Sequence, residues 1–189
     1  MRHEFMFAGF GGQGIVKAAL LLTHAAGLYE GREVAQTQSY GPEARGGACK
    51  SEVIVSDAAI DYIKARQLDV LVLMSQQAAD KYQALAAPDH TVVIYDEALV
   101  SRVPAGFRNL VPIPATRCAE TEFGRALYAN ILMLGAVAGA SRLIGLESLR
   151  RALDGNVPPR TLETNRAALK RGHDLGRPAT PHPATDKPA

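Results

Sequence analysis

Cysteine is scarce in this chain, and its scarcity excludes a good deal. Only two occur in 189 residues, Cys49 and Cys118, far apart and without a C-x-x-C pair. A cysteine-ligated iron–sulfur cluster or a structural zinc site needs a fuller ligand set, so neither is expected within this chain. A disulfide framework is lacking as well, and the start Met1-Arg2-His3-Glu4 has no apolar leader-like run, which together predict a cytoplasmic location. Long apolar runs are also missing. The longest charge-free one, Ala126 to Ser141, contains Asn130 and falls short of the ~20 residues a membrane helix needs. Charge of one sign is not in excess: 21 Lys and Arg face 19 Asp and Glu, and a net +2 gives no ground for nucleic acid or membrane as partner. From Arg142 to Arg177 eight basic residues face four acidic ones, which suits solvated helix faces, an anionic partner being the lesser reading.

Familiar catalytic sets are missing too. His3, His24, His90, His173 and His182 are scattered, with no two at metal-ligand spacing, so each reads as a surface or locally satisfied residue. There is no Walker lysine and no G-x-S-x-G elbow. Asp96 and Glu97 close an apolar run and could act as acid and base, but adjacent residues there read better as a strand-end turn. No residue is assigned a catalytic role.

What is present begins with glycine. Four of the six residues in Gly9-Phe10-Gly11-Gly12-Gln13-Gly14 are glycine, between an apolar strand (Glu4 to Ala8) and a helix-patterned segment (Ile15 to Leu28). Such a turn suits a phosphate or pyrophosphate held by backbone N–H groups at a helix N-terminus; equally, it lets a helix pack close to a sheet. An NAD site of this kind wants an acid at the end of the second strand. The strand from Arg32 ends Gln36-Thr37-Gln38 instead, and the NAD reading falls. A second glycine loop follows, Ser39-Tyr40-Gly41-Pro42-Glu43-Ala44-Arg45-Gly46-Gly47-Ala48. It is either a solvated turn or a ligand loop in which Arg45 meets a phosphate or carboxylate and Gly46-Gly47 admit close backbone approach.

Further strands are expected at Cys49–Ser56, Val70–Met74, Thr91–Tyr95 and Asn109–Ile113, the first of them antiparallel to its predecessor. Asp57 to Leu68 is expected to be partly helical. Helices are expected at Gln76–Ala87 with Ser75 as N-cap, at Thr121–Ser141, at Leu146–Leu153 and at Thr161–Gly172. In the apolar Thr121–Ser141 segment, Gly135 and Gly139 are spaced to let a sheet or helix come close. The pattern is α/β and Rossmann-like, a mostly parallel sheet flanked by helices in a single domain over 1–176, with a Pro-rich disordered tail over 177–189.

The two glycine loops together, GFGGQGI and SYGPEARGGACKSEVIVSD, resemble the gamma subunit of 2-oxoacid:ferredoxin oxidoreductases of the 2-oxoglutarate type. The likeness runs on through DVLVLMSQQAADKY and TEFGRALYANILMLGAVAG, over residues 3 to 172. It implies an enzyme of several chains that decarboxylates a 2-oxoacid on thiamine diphosphate, transfers the acyl group to coenzyme A and passes electrons to ferredoxin. Thiamine diphosphate, Mg2+ and the iron–sulfur clusters would then belong to partner alpha and beta subunits, with coenzyme A handling associated with this chain. Gly11, Gly12, Gln13 and Gly14 match the family's first loop, and Ser39, Tyr40, Gly41, Pro42, Glu43, Arg45, Gly46 and Gly47 the second. Two alternatives stand beside this reading: a free-standing NAD(P)- or flavin-binding module, and a structural subunit that binds nothing.

Overall fold

Alternation along the first strand sets the layering of the molecule. In β1 (Arg2–Phe10), Phe5 and Phe7 point into one core and Met6 and Ala8 into another, all essentially without solvent contact. The structure is a computed structural model that describes residues 1–39, 47–103 and 106–177. Residues 40–46, most of the second glycine loop, lie outside the described residues, as does the expected Pro-rich tail from 178 onward.

Six strands form one sheet in the order β2-β3-β1-β4-β5-β6. Those after β1 are β2 (Glu33–Gln38), β3 (Ala48–Ser56), β4 (Val70–Leu73), β5 (Val92–Asp96) and β6 (Leu110–Ile113). Strands β1, β4, β5 and β6 run parallel, while β3 is antiparallel to both β1 and β2. This confirms an α/β sheet with an antiparallel β3, as expected. It also removes a Rossmann pairing at the start, because β2 is an edge strand beside β3 rather than a parallel neighbour of β1.

Five helices pack on one face: α1 (Ile15–His24), α3 (Ala115–Phe123), α4 (Ala129–Ser141), α5 (Leu146–Ala152) and α6 (Leu162–Gly176). The other face carries α2 (Gln76–Tyr82), capped by the Ser75 hydroxyl on the Ala78 N–H, with Val100, Val103 and Phe107 of the segment after β5 packed beside it. The expected helix at Thr121–Ser141 is broken in two. Gly124 adopts φ +75°, a left-handed turn that ends α3, and a short 3-10 turn (Ala126–Tyr128) leads into α4. Every residue of α4 from Ala129 to Gly139 is buried, as a sequence apolar at all positions but Asn130 requires. Gly135 and Gly139 admit α6: a Cβ on either would collide with the carbonyl oxygens of Leu169 or His173. Gly172 and Gly176 return the favour toward Leu132 and Ala136, so the two backbones touch.

The expected helical content of 57–68 is a second correction. No helix forms there, and the topology gives the reason. Because β3 is antiparallel to β1, it ends at Ser56 opposite Arg2, at the same end of the sheet where β4 begins beside Phe5. A same-end connection needs no crossover helix. The segment is instead an extended loop clamped by Glu4, whose carboxylate accepts from the Arg66 and Gln67 N–H groups (2.5 and 2.7 Å) and from Arg2 Nε (2.7 Å).

Candidate functional site

The topology brings both glycine loops to one edge. The parallel strands end there, and Phe10, the last residue of β1, pairs with Ala48, the first of β3. Ser39, directly after β2, donates its N–H to the Lys50 carbonyl (2.9 Å), and its Oγ accepts from the Lys50 N–H (3.3 Å). Ser39 and the half-buried Gly47 therefore form the feet of the second loop beside the first. Tyr40, Arg45 and Gly46 lie outside the described residues.

At that edge α1 leaves β1 toward one face of the sheet and α2 leaves β4 toward the other, which makes β1/β4 the topological switch point where α/β proteins usually open a ligand crevice. Here the crevice holds the side chain of Gln13. Its Oε1 accepts from the Phe10 N–H (2.8 Å) and its Nε2 donates to the Met74 carbonyl (2.6 Å). A Cβ on Gly9 would strike that Oε1, which is why glycine stands below it. Gly14 begins α1 at φ +78°, and its carbonyl accepts from Asn130 Nδ2 (3.1 Å) at the start of α4. Any side chain on Gly14 would meet both that backbone strain and Asn130. The sequence pattern marked these glycines but gave Gln13 no partner. The missing signal was Met74, sixty-one positions away.

A groove of about 390 Å³ lies on the face that α2 leaves open, and of the residues lining it only Ser39 was a candidate from the sequence. The sheet supplies its floor: Thr37, Glu52 and Met6 form one row across β2, β3 and β1. Glu52 is buried, and its carboxylate accepts from Lys50 Nζ (2.6 Å) and from Thr37 Oγ1 (3.1 Å). The Glu4-clamped loop forms the far wall. Ser39 and Lys50 place the other end of the groove at the foot of the second glycine loop.

Other candidates take structural roles. Asp96 is fully buried; its Oδ2 accepts from the Thr116 N–H and hydroxyl (2.9 and 2.6 Å) at the start of α3, and its Oδ1 from the Ala98 N–H (3.1 Å). Glu97 pairs with Arg117 (2.9 Å), so the two adjacent acids are a strand-end turn. His90 lies 3.1 Å from an Asp69 carboxylate oxygen, and His3 lies 3.7 Å from the same oxygen. Burial, and then the adjacent Glu122, push the Cys118 thiol above its ordinary pKa, away from nucleophilic reactivity. Cys49 and Cys118 are both buried and unbonded to each other. Among the described residues no group of three or more His, Cys, Asp or Glu could hold a metal ion, and no helix is long and apolar enough to cross a membrane.

The sequence profile of the family described as pyruvate ferredoxin/flavodoxin oxidoreductase matches residues 4–175. The 2-oxoglutarate synthase subunit KorC of Methanocaldococcus jannaschii is 45% identical over 179 residues, spanning 94% of this chain and 95% of that one. Among solved structures, the gamma subunit of a keto/oxoacid ferredoxin oxidoreductase from Geobacter sulfurreducens superposes with a TM-score of 0.85 at 35% identity, over 93% of this chain and 97% of that one. The 2-oxoglutarate:ferredoxin oxidoreductase from Magnetococcus marinus, solved with 2-oxoglutarate, coenzyme A and succinyl-CoA bound, shares the fold. Its TM-score is 0.80 at 22% identity, with 93% of this chain matched to 31% of that longer one.

Proposed function

The chain belongs to the pyruvate ferredoxin/flavodoxin oxidoreductase family, and from that premise we propose that it is the gamma-type subunit of a cytoplasmic 2-oxoglutarate:ferredoxin oxidoreductase, concerned with coenzyme A. The end-to-end likeness to the Methanocaldococcus subunit carries this reading. The complex converts 2-oxoglutarate and coenzyme A to succinyl-CoA and carbon dioxide, and two electrons leave for ferredoxin. Alpha and beta subunits supply thiamine diphosphate, Mg2+ and the iron–sulfur clusters. Cys49 on β3 and Cys118 on α3 are a poor fit to cluster ligation, being two buried thiols on separate elements.

This chain's own contribution is to receive coenzyme A at the edge where the two glycine loops start. Gly11, Gly12 and Gly14 shape the first loop, and Gln13 fixes it by tying the end of β1 to the end of β4. Ser39, Tyr40, Arg45, Gly46 and Gly47 form the second, in which the Arg45 guanidinium pairs with a phosphate of the substrate. The NAD(P)- or flavin-module alternative is disfavoured by two observations. Gln13 occupies the crevice such a cofactor needs, and β4, the parallel neighbour of β1, runs out through Leu73-Met74-Ser75 without an acid.

The test is steady-state kinetics of the complex reconstituted with its companion subunits. Arg45→Ala raises the coenzyme A KM roughly ten- to a hundredfold, the loss of one charge-assisted hydrogen bond, and leaves the 2-oxoglutarate KM within about twofold. Arg45→Lys restores only part of the loss. Full coenzyme A-dependent turnover by the companions without this chain would overturn the proposal.

A further inference from the structure

The sheet ends in two edge strands, β6 and β2, and the sequence treats them differently. Val93 donates to the Asn109 carbonyl (2.8 Å) and Glu97 to the Ile113 carbonyl (3.0 Å), so the odd-numbered residues of β6 face β5 and the even-numbered ones face outward. Pro112 is one of the latter. It has no N–H to offer and blunts that edge against the addition of another strand. At the other edge, Ser39 donates to the Lys50 carbonyl opposite (2.9 Å), which turns the odd-numbered residues of β2 toward β3. Val34, Gln36 and Gln38 therefore point their N–H and C=O groups outward, and among the described residues no hydrogen bond reaches those groups. Nothing in the strand protects it. β2 has no lysine or proline, pairs with β3 without a bulge, and carries its one charge, Glu33, at its start.

β2 is also complementary to itself. Two copies laid antiparallel about a two-fold axis at Gln36 set Gln36 opposite Gln36 and Val34 opposite Gln38. In that register every outward N–H of the strand meets an outward C=O. Any other register leaves Val34 or Gln38 unpaired within the strand. The side chains agree with it: Ala35 stands against Thr37 and Glu33 against Ser39, so no like charges meet. On the helical side of the sheet Gly27 lies close on Val34, and its neighbour Leu28, 69% exposed, adds apolar surface near the seam.

We propose that two copies of this chain pair through β2, Gln36 against Gln36, and continue one sheet into the other. The axis is perpendicular to the sheet, so helical face joins helical face and the two grooves open on the same side. This pairing is a property of the chain itself and does not depend on the proposed activity. The complex then holds its gamma-type chains in pairs.

Sedimentation of the full chain at micromolar concentration should read a dimer. Gln36→Pro removes the N–H at the axis and sets a ring between the strands, yet touches no bond to β3. The variant should keep its far-UV circular dichroism while the dimer dissociation constant rises roughly tenfold or more. Gln36→Cys decides the matter even where the proline variant fails to fold, and it reads the register as well. Opposed residues of a hydrogen-bonded antiparallel pair stand about 5.5 Å apart at Cα, within disulfide span. Under mild oxidation this variant should link to a second copy of itself, both alone and in the reconstituted complex. Asp61→Cys, on an exposed loop, should not, and the native Cys49 and Cys118 are buried. A monomeric wild type, a dimer that a folded Gln36→Pro variant leaves intact, or no self-linking by Gln36→Cys overturns the pairing. Self-linking by the chain alone but not in the complex overturns it too, since a companion subunit then covers β2.

Discussion

On one side of the sheet five helices close over Phe5, Phe7, Val70 and Val72, and the pair α4/α6 is packed until backbone meets backbone at four glycines. On the other, α2 covers the middle strands, while β2 and β3 present Thr37, Lys50 and Glu52 to a groove. The strands are shared, so the difference lies in the connections. Those after β1 and β6 lead into helices on the first face, the one after β5 lays Val100, Val103 and Phe107 on the second beside α2, and the one from β3 to β4 stays at one end and sends no helix across. One face is built to exclude everything. The other keeps polar groups, a clamped loop and the exposed cations Lys64 and Arg66, which is what a binding surface retains.

The sealed face should break hardest. Gly172→Ala drives a methyl into the Leu132 carbonyl, where neither backbone can yield cheaply. A loss of about 3 kcal/mol is expected, at the upper end of overpacking, with a fall in Tm of roughly 6–12 °C for a chain of this size. Calorimetry of the variant checks it, and a Tm within a degree of wild type would mean the helices can part freely.

On the open face, Glu4→Gln removes the carboxylate that holds Arg2 and the Arg66 and Gln67 N–H groups. The expected cost is about 2 kcal/mol, since hydrogen bonds to a buried charge are the strong ones. Hydrogen exchange should rise across 57–68 with α4 and α6 unaffected. Exchange that rises everywhere would show that the loop is not a separate unit.

Between the faces, Gln13→Ala gives up two hydrogen bonds at the switch point, about 1–2 kcal/mol by denaturant titration. Opening the crevice should still not create an NADH site, because β4, the parallel neighbour of β1, runs out through Leu73-Met74-Ser75 without an acid; saturable NADH binding by the variant would restore the dinucleotide alternative.

The smallest effect belongs to the Glu122–Arg171 ion pair at the outer surface (3.0 Å). The Arg171 guanidinium holds the Glu122 carboxyl below its ordinary value. Its contribution is present above the unfolded carboxylate pKa and is lost as pH falls through the lower folded one. Solvent screens both partners, so Glu122→Gln should cost no more than about 0.5 kcal/mol at pH 7. Wild type and variant should converge in acid, and a gap that widens there would contradict the pairing.

Strand positions were legible in the sequence because continuous apolar runs such as Val70–Met74 leave little choice, and Ser75 announced its helix through capping chemistry. Local patterning failed where a single residue or a long-range partner decided. Gly124 split one apolar helix in two, and Glu4, sixty-two positions from Arg66, held a segment that local pattern read as part helix. The candidate site was legible only as loops. The glycines and the family likeness marked the edge, but the groove is made by residues from five separate segments whose meeting depends on the antiparallel β3.

Hydrogen exchange of the assembled complex, with and without saturating coenzyme A, tests the contrast between the faces most directly. Exchange should slow in 47–52 and 57–68 on adding coenzyme A, while α4 and α6 stay as they were. No change in either segment at saturation, or protection confined to the helical face, would contradict a chain whose open face receives the substrate.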